Sequence, residues 1–262
     1  MTSLPLNGLN EKDGHFDLLP LDTEIFGFPV AEWKPPAEVE RIAKASPLFL
    51  LRTAELQLRL VSCHVPAENA SMLGAVQSLG FHVVDCIVSL GLKNTQRISL
   101  GEDTIPLREA QASDRAELEE IAGQAFSTGR YHLDPFFPNS LAMKRYAIWV
   151  RNALTGRVPG SVVLVAELEG RIAGFTVDRI EGDYCEGQLA CVNPYFKHNI
   201  VMYSLLEAHG VWLRDHGIRK TTGRISIGLM QAIKLNLVLH AELRRAEYVL
   251  HWHSTTHPIV LS

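Results

Sequence analysis

Two runs rich in branched apolar residues, Ser161–Leu168 and Arg171–Ile180, are separated only by Glu169-Gly170. A two-residue link with glycine in second place suits a tight turn between antiparallel strands, so this segment predicts a β-hairpin. A hairpin of that length buries one face only against other elements, and the flanking sequence supplies them. Before it, Ser113 can cap a helix reaching about Phe126, with Asp114 and Glu117 at its positive end, and a second helix covers Ser140–Leu154. After it come a strand at Gln188–Val192, a helix at Asn199–His216 and a strand at Thr221–Ile227. A helix at Leu229–Leu243 and a last strand at Glu247–His253 follow. Val201, Leu205, Ala208 and Trp212 share one face of the long helix, at spacings of four, three and four.

The segment before residue 100 reads as a smaller strand-and-helix unit. Leu48–Leu51 and Glu55–Val61 read as strands, Glu68–Leu79 as a helix stopped by Gly80, and Phe81–Leu90 as another strand. The polar stretch Lys93–Asp103 then predicts a boundary, dividing the chain into 1–100 and 101–262. No repeat has a fixed period. Asn69–Leu90 and Leu229–Trp252 nonetheless share a helix, short turn and strand layout, as a duplicated half-domain would.

Composition narrows the function classes. With 262 residues, 47% of them hydrophobic, the chain can bury a sizeable core. A net charge of −4 gives no general attraction to nucleic acid or anionic membrane, so neither is expected as a partner. Apolar runs such as Val162–Ala166 are far shorter than the ~20 residues that cross a bilayer. The polar start, Met1–Asp17, lacks a signal-peptide pattern, and a cytoplasmic protein is expected. Cys63, Cys86, Cys185 and Cys191 show no CxxC spacing and read as reduced thiols.

The stretch Ser113–Gly156, SDRAELEEIAGQAFSTGRYHLDPFFPNSLAMKRYAIWVRNALTG, together with VAELEGRIAGFTVDRIE (Val165–Glu181) and LDTEIFGFPVAEW (Leu21–Trp33), resembles the dTDP-fucosamine acetyltransferase branch of the GCN5-related N-acetyltransferase (GNAT) superfamily. The resemblance implies an α/β (α+β) fold with a mixed, mostly antiparallel central sheet flanked by helices, preceded by a smaller, partly GNAT-like α/β domain. It implies an N-acyltransferase using acetyl-CoA or another acyl-CoA as co-substrate and acting on a small-molecule amine, an amino-sugar nucleotide in that branch. A homodimer is compatible with it.

In that family the donor lies along the strand matching Leu189, Ala190, Cys191 and Val192. Its pyrophosphate sits at the following loop and helix start, here Lys197, His198, Asn199, Ile200, Val201 and Met202. The family places glycines in this loop so that backbone can approach phosphate; this chain has large side chains there. The family's tyrosine acid, which protonates the leaving thiolate, aligns with Asn236, whose amide supplies no proton at neutral pH. Tyr248 is the alternative hydroxyl. Three readings stay open: an enzyme with an adapted donor site, including one that takes its acyl group from an acyl carrier protein; a non-catalytic binding or regulatory module; and a fold-only interaction protein.

Other candidates rest on the residues themselves. Glu186, just before the donor strand, and Asp178, Glu181 and Asp183 are carboxylates able to take an amine's proton; charged loops are more often merely solvated. Tyr131, His132 and Asp134 follow the first helix in a loop that covers the acceptor in the resembling family, or form a proline-stiffened turn. Trp149 and Asn152 reach substrate from the second helix or belong to its core. Cys191 is a thiol that could take the acyl group or a small core residue. His251, His253 and nearby His257 alternate along the last strand, but no metal is expected without a carboxylate or Cys at ligand spacing. Arg244 and Arg245 read as a solvated turn.

Overall fold

The computed structural model describes residues 14–93, 95, 104–196 and 199–254. Lys197, His198, His257 and most of the polar stretch Lys93–Asp103 lie outside the described residues. The structure divides into two units. One comprises the chain up to Cys86, the loop Leu133–Pro138 and the chain from Ala246; the other comprises Ile87–His132 and Asn139–Arg245. Both are discontinuous in sequence, whereas the sequence suggests a single cut near residue 100.

The first unit contains β1 (His15–Leu18), α1 (Pro20–Phe26), β2 (Val30–Lys34), α2 (Val39–Glu55), β3 (Leu60–Pro66) and α3 (Ala70–Ser78). Strand β4 (His82–Gly91) starts here and β10 (Glu242–His253) ends here. β1 and β2 are antiparallel, β2 and β3 parallel, and β10 runs antiparallel to β3 from Glu247↔Pro66 to His253↔Leu60. Leu48–Leu51 lies in α2 and is not a strand. The buried residues Ile42, Ala45, Phe49 and Thr53 recur at three, four and four, a helical stripe that a four-residue apolar run conceals. Glu55–Val61 likewise holds the end of that helix, and the strand begins only at Leu60. Helix α3 stops before Gly80 as read, with Gly80 at φ 91°, which favours glycine, but it begins at Ala70 and not at Glu68, with Asn69 Oδ1 accepting the Met72 amide. The core is aromatic, with Phe16, Trp33, Phe49 and Phe81 in mutual ring contact and Trp252 edge-on to Phe49.

The second unit holds β5 (Leu107–Glu109), α4 (Arg115–Ala125), α5 (Asn139–Leu154), β6 (Ser161–Leu168), β7 (Arg171–Glu181) and β8 (Tyr184–Val192). It continues with α6 (Asn199–Asp215), β9 (Lys220–Ser226) and α7 (Met230–Val238). The strand order is β4-β9-β8-β7-β6-β5. The hairpin forms as predicted, with Glu169 at φ 55° and Gly170 at φ 73°, the paired positive values of a type I′ turn. Helix α4 is not capped by Ser113. A 3₁₀ turn at Ala112–Asp114 precedes it, and Gln111 with Asp114 forms a capping box in which the Gln111 amide donates to Asp114 Oδ2 at 2.7 Å. Helix α7 stops at Val238 rather than Leu243. His240 turns the chain at φ 66°, so Arg244 and Arg245 belong to β10 and not to a turn.

The α3–β4 and α7–β10 segments are reciprocal. Each strand starts in the unit of its own helix and ends in the other: β4 pairs with β9 from Ile87↔Ser226 to Leu90↔Gly223, and β10 pairs with β3. Among the described residues no helix is long and apolar enough to cross a membrane.

Candidate active site

β8 and β9 run parallel and pair from Tyr184↔Lys220 to Gly187↔Gly223, where the ladder stops. Beyond that point β9 keeps β4 as its partner and β8 keeps β7, so Gln188–Val192 has a ladder on one side only. The register with β7 also slips there. Val177 faces Leu189 and Asp178 faces Gly187, so Gln188 is a bulged residue. The bulge reverses the alternation of side chains. Cys185 packs with Leu213 and Ile218, at the α6 end of the unit, whereas Leu189 and Cys191 join the core beneath α4 and α5. Alternation from Cys185 puts Glu186, half-buried, on the same face as Leu189 and Cys191.

That face carries a row of rings. Phe126 stacks on Tyr146 at 4.2 Å, Tyr146 lies 6.4 Å from Trp149, and the Trp149 indole N–H donates to Gln188 Oε1 at 3.3 Å. His132 stacks on the other neighbour of this row, 5.8 Å from Tyr146 and nearly parallel to it. Neither His132 ring nitrogen has a hydrogen-bond partner among the described residues, and burial pushes its pKa down, so the ring is neutral at pH 7. The Arg145 guanidinium lies over both Trp149 and Tyr131, at 4.7 and 5.2 Å. Tyr131 is buried, its hydroxyl accepting from Arg130. Asn152 is buried in the same helix. The structure thus brings Trp149 to β8 and His132 to Tyr146, and leaves Tyr131 and Asn152 inside. Tyr146 and Gln188 went unread in the sequence, though a tyrosine one turn before Trp149 and a lone amide in an apolar strand were the available signals.

Asp134 parts from its sequence neighbours, since the units divide between His132 and Leu133. It sits fully buried among His82, His251 and His253. Burial alone would raise its pKa; the imidazoles of His251, His253 and His82 overcome that and hold it well below the usual carboxylate range. Tyr248 packs on the aromatic core of the first unit. On α7, the Asn236 amide donates to the Ala232 carbonyl at 2.9 Å.

At the start of α6, Asn193 organises the turn: its amide donates to the Ile172 carbonyl and its Oδ1 accepts the Tyr195 N–H. Phe196 and Val201 are buried with Ala173, and Val192 packs against them. Ile200 is 69% exposed, so it does not fill the space beside the strand; Met202 is half-buried. Asn199 opens the helix.

On the opposite face of the sheet lies a polar group that the sequence did not reveal. Asp178, itself buried, accepts from Thr176 Oγ1 at 2.9 Å, meets His209 Nε2 at 2.9 Å and lies 3.5 Å from Cys185 Sγ. Asp178 therefore belongs to a buried network rather than to a solvated hairpin exit. Burial, followed by the charge of Asp178, raises the Cys185 pKa; burial alone raises that of Cys191, which stays a protonated core thiol and not a nucleophile. Glu181 is exposed and Asp183 holds Arg219 at 2.9 Å.

Among solved structures, a GCN5-related N-acetyltransferase from Sphaerobacter thermophilus superposes with a TM-score of 0.68 over 95% of this chain and 79% of its own, at 14% identity. The chain has the GNAT fold. A GNAT sheet flanked by helices is preceded here by a smaller α/β unit, and the chain resembles GNAT proteins in sequence as well. The spore coat polysaccharide biosynthesis protein SpsD of Bacillus subtilis (strain 168) is 28% identical over 145 residues, 54% of this chain and 48% of that protein. The dTDP-fucosamine acetyltransferase of Escherichia coli O6:H1 (strain CFT073) is 28% identical over 137 residues, 52% of this chain and 58% of its own. The match thus spans about half the length of these curated relatives. No family model matches the chain.

Proposed function

We propose that this chain is an N-acyltransferase that moves an acyl group from acetyl-CoA or another acyl-CoA to an amine, and that the amine belongs to a nucleotide-linked amino sugar. One observation carries the reading: the β8–β9 ladder ends at Gly187↔Gly223 while β8 runs on to Val192. Main-chain groups of Leu189–Val192 are then available to the pantetheine arm and to the thioester oxygen, where fixed dipoles stabilise the charge of the tetrahedral intermediate. Lys197–Met202, ending in the first turn of α6, would receive the phosphates. The ring row of Tyr146, Trp149 and His132, with Arg145 above it, suits a sugar or base stacked flat. The kinship with a dTDP-fucosamine acetyltransferase supports the sugar-nucleotide acceptor.

Glu186, on the acceptor face, takes the ammonium proton through water. The amine nitrogen attacks the thioester carbonyl, the C–S bond breaks as CoA leaves with the electron pair, and the acylated nitrogen gives its second proton to solvent. Asn236 supplies no proton, so the leaving group departs as thiolate. With a thiol pKa of about 8.5, thiolate departure at pH 7 costs only about 2 kcal/mol relative to a protonated product. The loss of a tyrosine acid is therefore tolerable. The Asn236 amide, already committed to Ala232, equally favours a second reading in which the site binds without turning over.

Residues 1–100 and 101–262 are proposed as two ancestral modules, supported by the repeated α3–β4 and α7–β10 layout. A cytoplasmic protein, a homodimer included, with no nucleic-acid or membrane partner, accords with this reading. Thermal shift with acetyl-CoA, CoA and a dTDP-sugar tests it: at a hundredfold excess over Kd a bound ligand adds about 2.7 kcal/mol to stability. Stabilisation by CoA and acetyl-CoA with release of thiol on adding the amino sugar is expected. Stabilisation by the sugar nucleotide alone would replace the enzyme with a binding module.

A further inference from the structure

We infer that the first unit contains a binding site for a divalent first-row transition cation, formed by His82, Asp134 and His253. One ring nitrogen from each of His82 and His253 and one carboxylate oxygen of Asp134 all lie within 4.8 Å of one another. His253 Nε2 is 2.8 Å from Asp134 Oδ2 and His82 Nε2 is 3.5 Å from Asp134 Oδ1. A cation bound at about 2.0–2.1 Å by nitrogen and oxygen spaces neighbouring donors by roughly 2.9–3.4 Å, close to these values.

Hydrogen bonding alone accounts poorly for this arrangement. The Asp134 carboxylate meets the Phe136 amide, 2.9 Å from Oδ1, and His251 Nδ1, 2.6 Å from Oδ2, which leaves lone pairs on both oxygens for a cation or further donors. At 3.5 Å His82 gains little as a hydrogen-bond donor, yet its ring is stacked on His253 at 5.5 Å with both Nε2 atoms turned to one carboxylate. Phe136 packs against both rings, at 5.3 and 5.5 Å, and fixes their orientation. His251, fully buried, and the Phe136 amide hold the carboxylate from behind, as groups around a metal ligand do.

The ligands stand on defined elements: His82 at the start of β4, His253 at the end of β10, and Asp134 in a loop that also contains Pro135 and Pro138. Two imidazoles and one carboxylate leave coordination positions open, and the 32% exposed His82 side chain marks the solvent side where water or an anionic ligand would enter. The sequence concealed the site because its carboxylate lies more than a hundred residues from one histidine and about fifty from the other.

Full-length protein stripped with chelator and titrated with zinc chloride by calorimetry tests the inference, with cobalt as a spectroscopic probe. One saturable zinc site is expected, together with visible absorption of the cobalt form characteristic of nitrogen and oxygen ligands. His82→Ala should weaken zinc at least tenfold while leaving the metal-free melting temperature nearly unchanged, because His82 is partly exposed. His82→Gln serves in the same way if the alanine variant fails to fold. Absence of saturable zinc binding, or affinity unchanged in the His82 variants because other histidines bind, would overturn the site. Neither result bears on acyl transfer, whose readouts are CoA binding and thiol release.

Discussion

Each unit contains one parallel pair of strands, and the two pairs end differently. In the first unit β2 follows β3 from Val30↔Leu60 to Trp33↔Cys63, and β2 then stops at Lys34 before Pro35-Pro36. In the second unit β8 outruns its pairing with β9 by the five residues Gln188–Val192. Both parallel pairs are outrun by one strand: β3 continues past its last pair with β2 by the three residues His64–Pro66, and β8 past its last pair with β9 by five. The difference is one of length and shape: the overrun of β8 is longer and begins at the Gln188 bulge, which turns its side chains to the other face. By the same token, the polar chemistry of the first unit gathers at Asp134, not along a strand.

The comparison can be broken most forcefully in the aromatic core. Trp33→Ala should cost about 3–5 kcal/mol of unfolding free energy, because Trp33 is fully buried against Phe49 and Phe81. Urea unfolding followed by fluorescence measures it, and a loss under 1 kcal/mol would show that the first unit is loosely packed.

Next in size is Gly174→Val on β7. A Cβ there would lie 2.8 Å from the Cys191 carbonyl and 3.1 Å from Leu205, so β8 must shift. A stability loss of about 1–3 kcal/mol is expected, together with weaker acetyl-CoA binding in calorimetry. Unaltered CoA affinity in the folded variant would separate the ligand from this strand.

Trp149→Ala tests the ring row. It should raise KM for an amino-sugar nucleotide about tenfold, the loss of roughly 1.4 kcal/mol of stacking, with kcat changed less. A fall confined to kcat would argue against a binding role.

The smallest effect belongs to the exposed ion pairs of Arg108 with Asp114 and Glu167 at 2.7 Å. Hydrogen bonding from Arg108 is the chief cause that lowers the pKa of both carboxylates. Their contribution is therefore present above the unfolded values near 4 and lost as pH falls through the lower folded values. Solvent screening limits it to about 1 kcal/mol or less, read as the difference in urea midpoint between wild type and Arg108→Ala at pH 7 and pH 3.

Much of the second unit was legible because its elements carry local signals. The hairpin has its two-residue turn, α6 its apolar stripe, and α3 in the first unit its Gly80 stop. Leu48–Leu51 misled because a short apolar run fits helix and strand alike, and only docking selects between them. β1, β2 and β5, at most five residues long, lack the length to stand out from a single sequence.

The sequence by itself determined the order of elements from residue 161 to 227 and the chemistry available at Glu186, His132 and Trp149, since propensity, turns and residue type are local properties. Tertiary structure alone decided where β8 leaves β9, how the Gln188 bulge turns Glu186 and Leu189 to one face, and which histidines meet Asp134. Those outcomes depend on pairing and burial between segments far apart in the chain, and no local pattern encodes them.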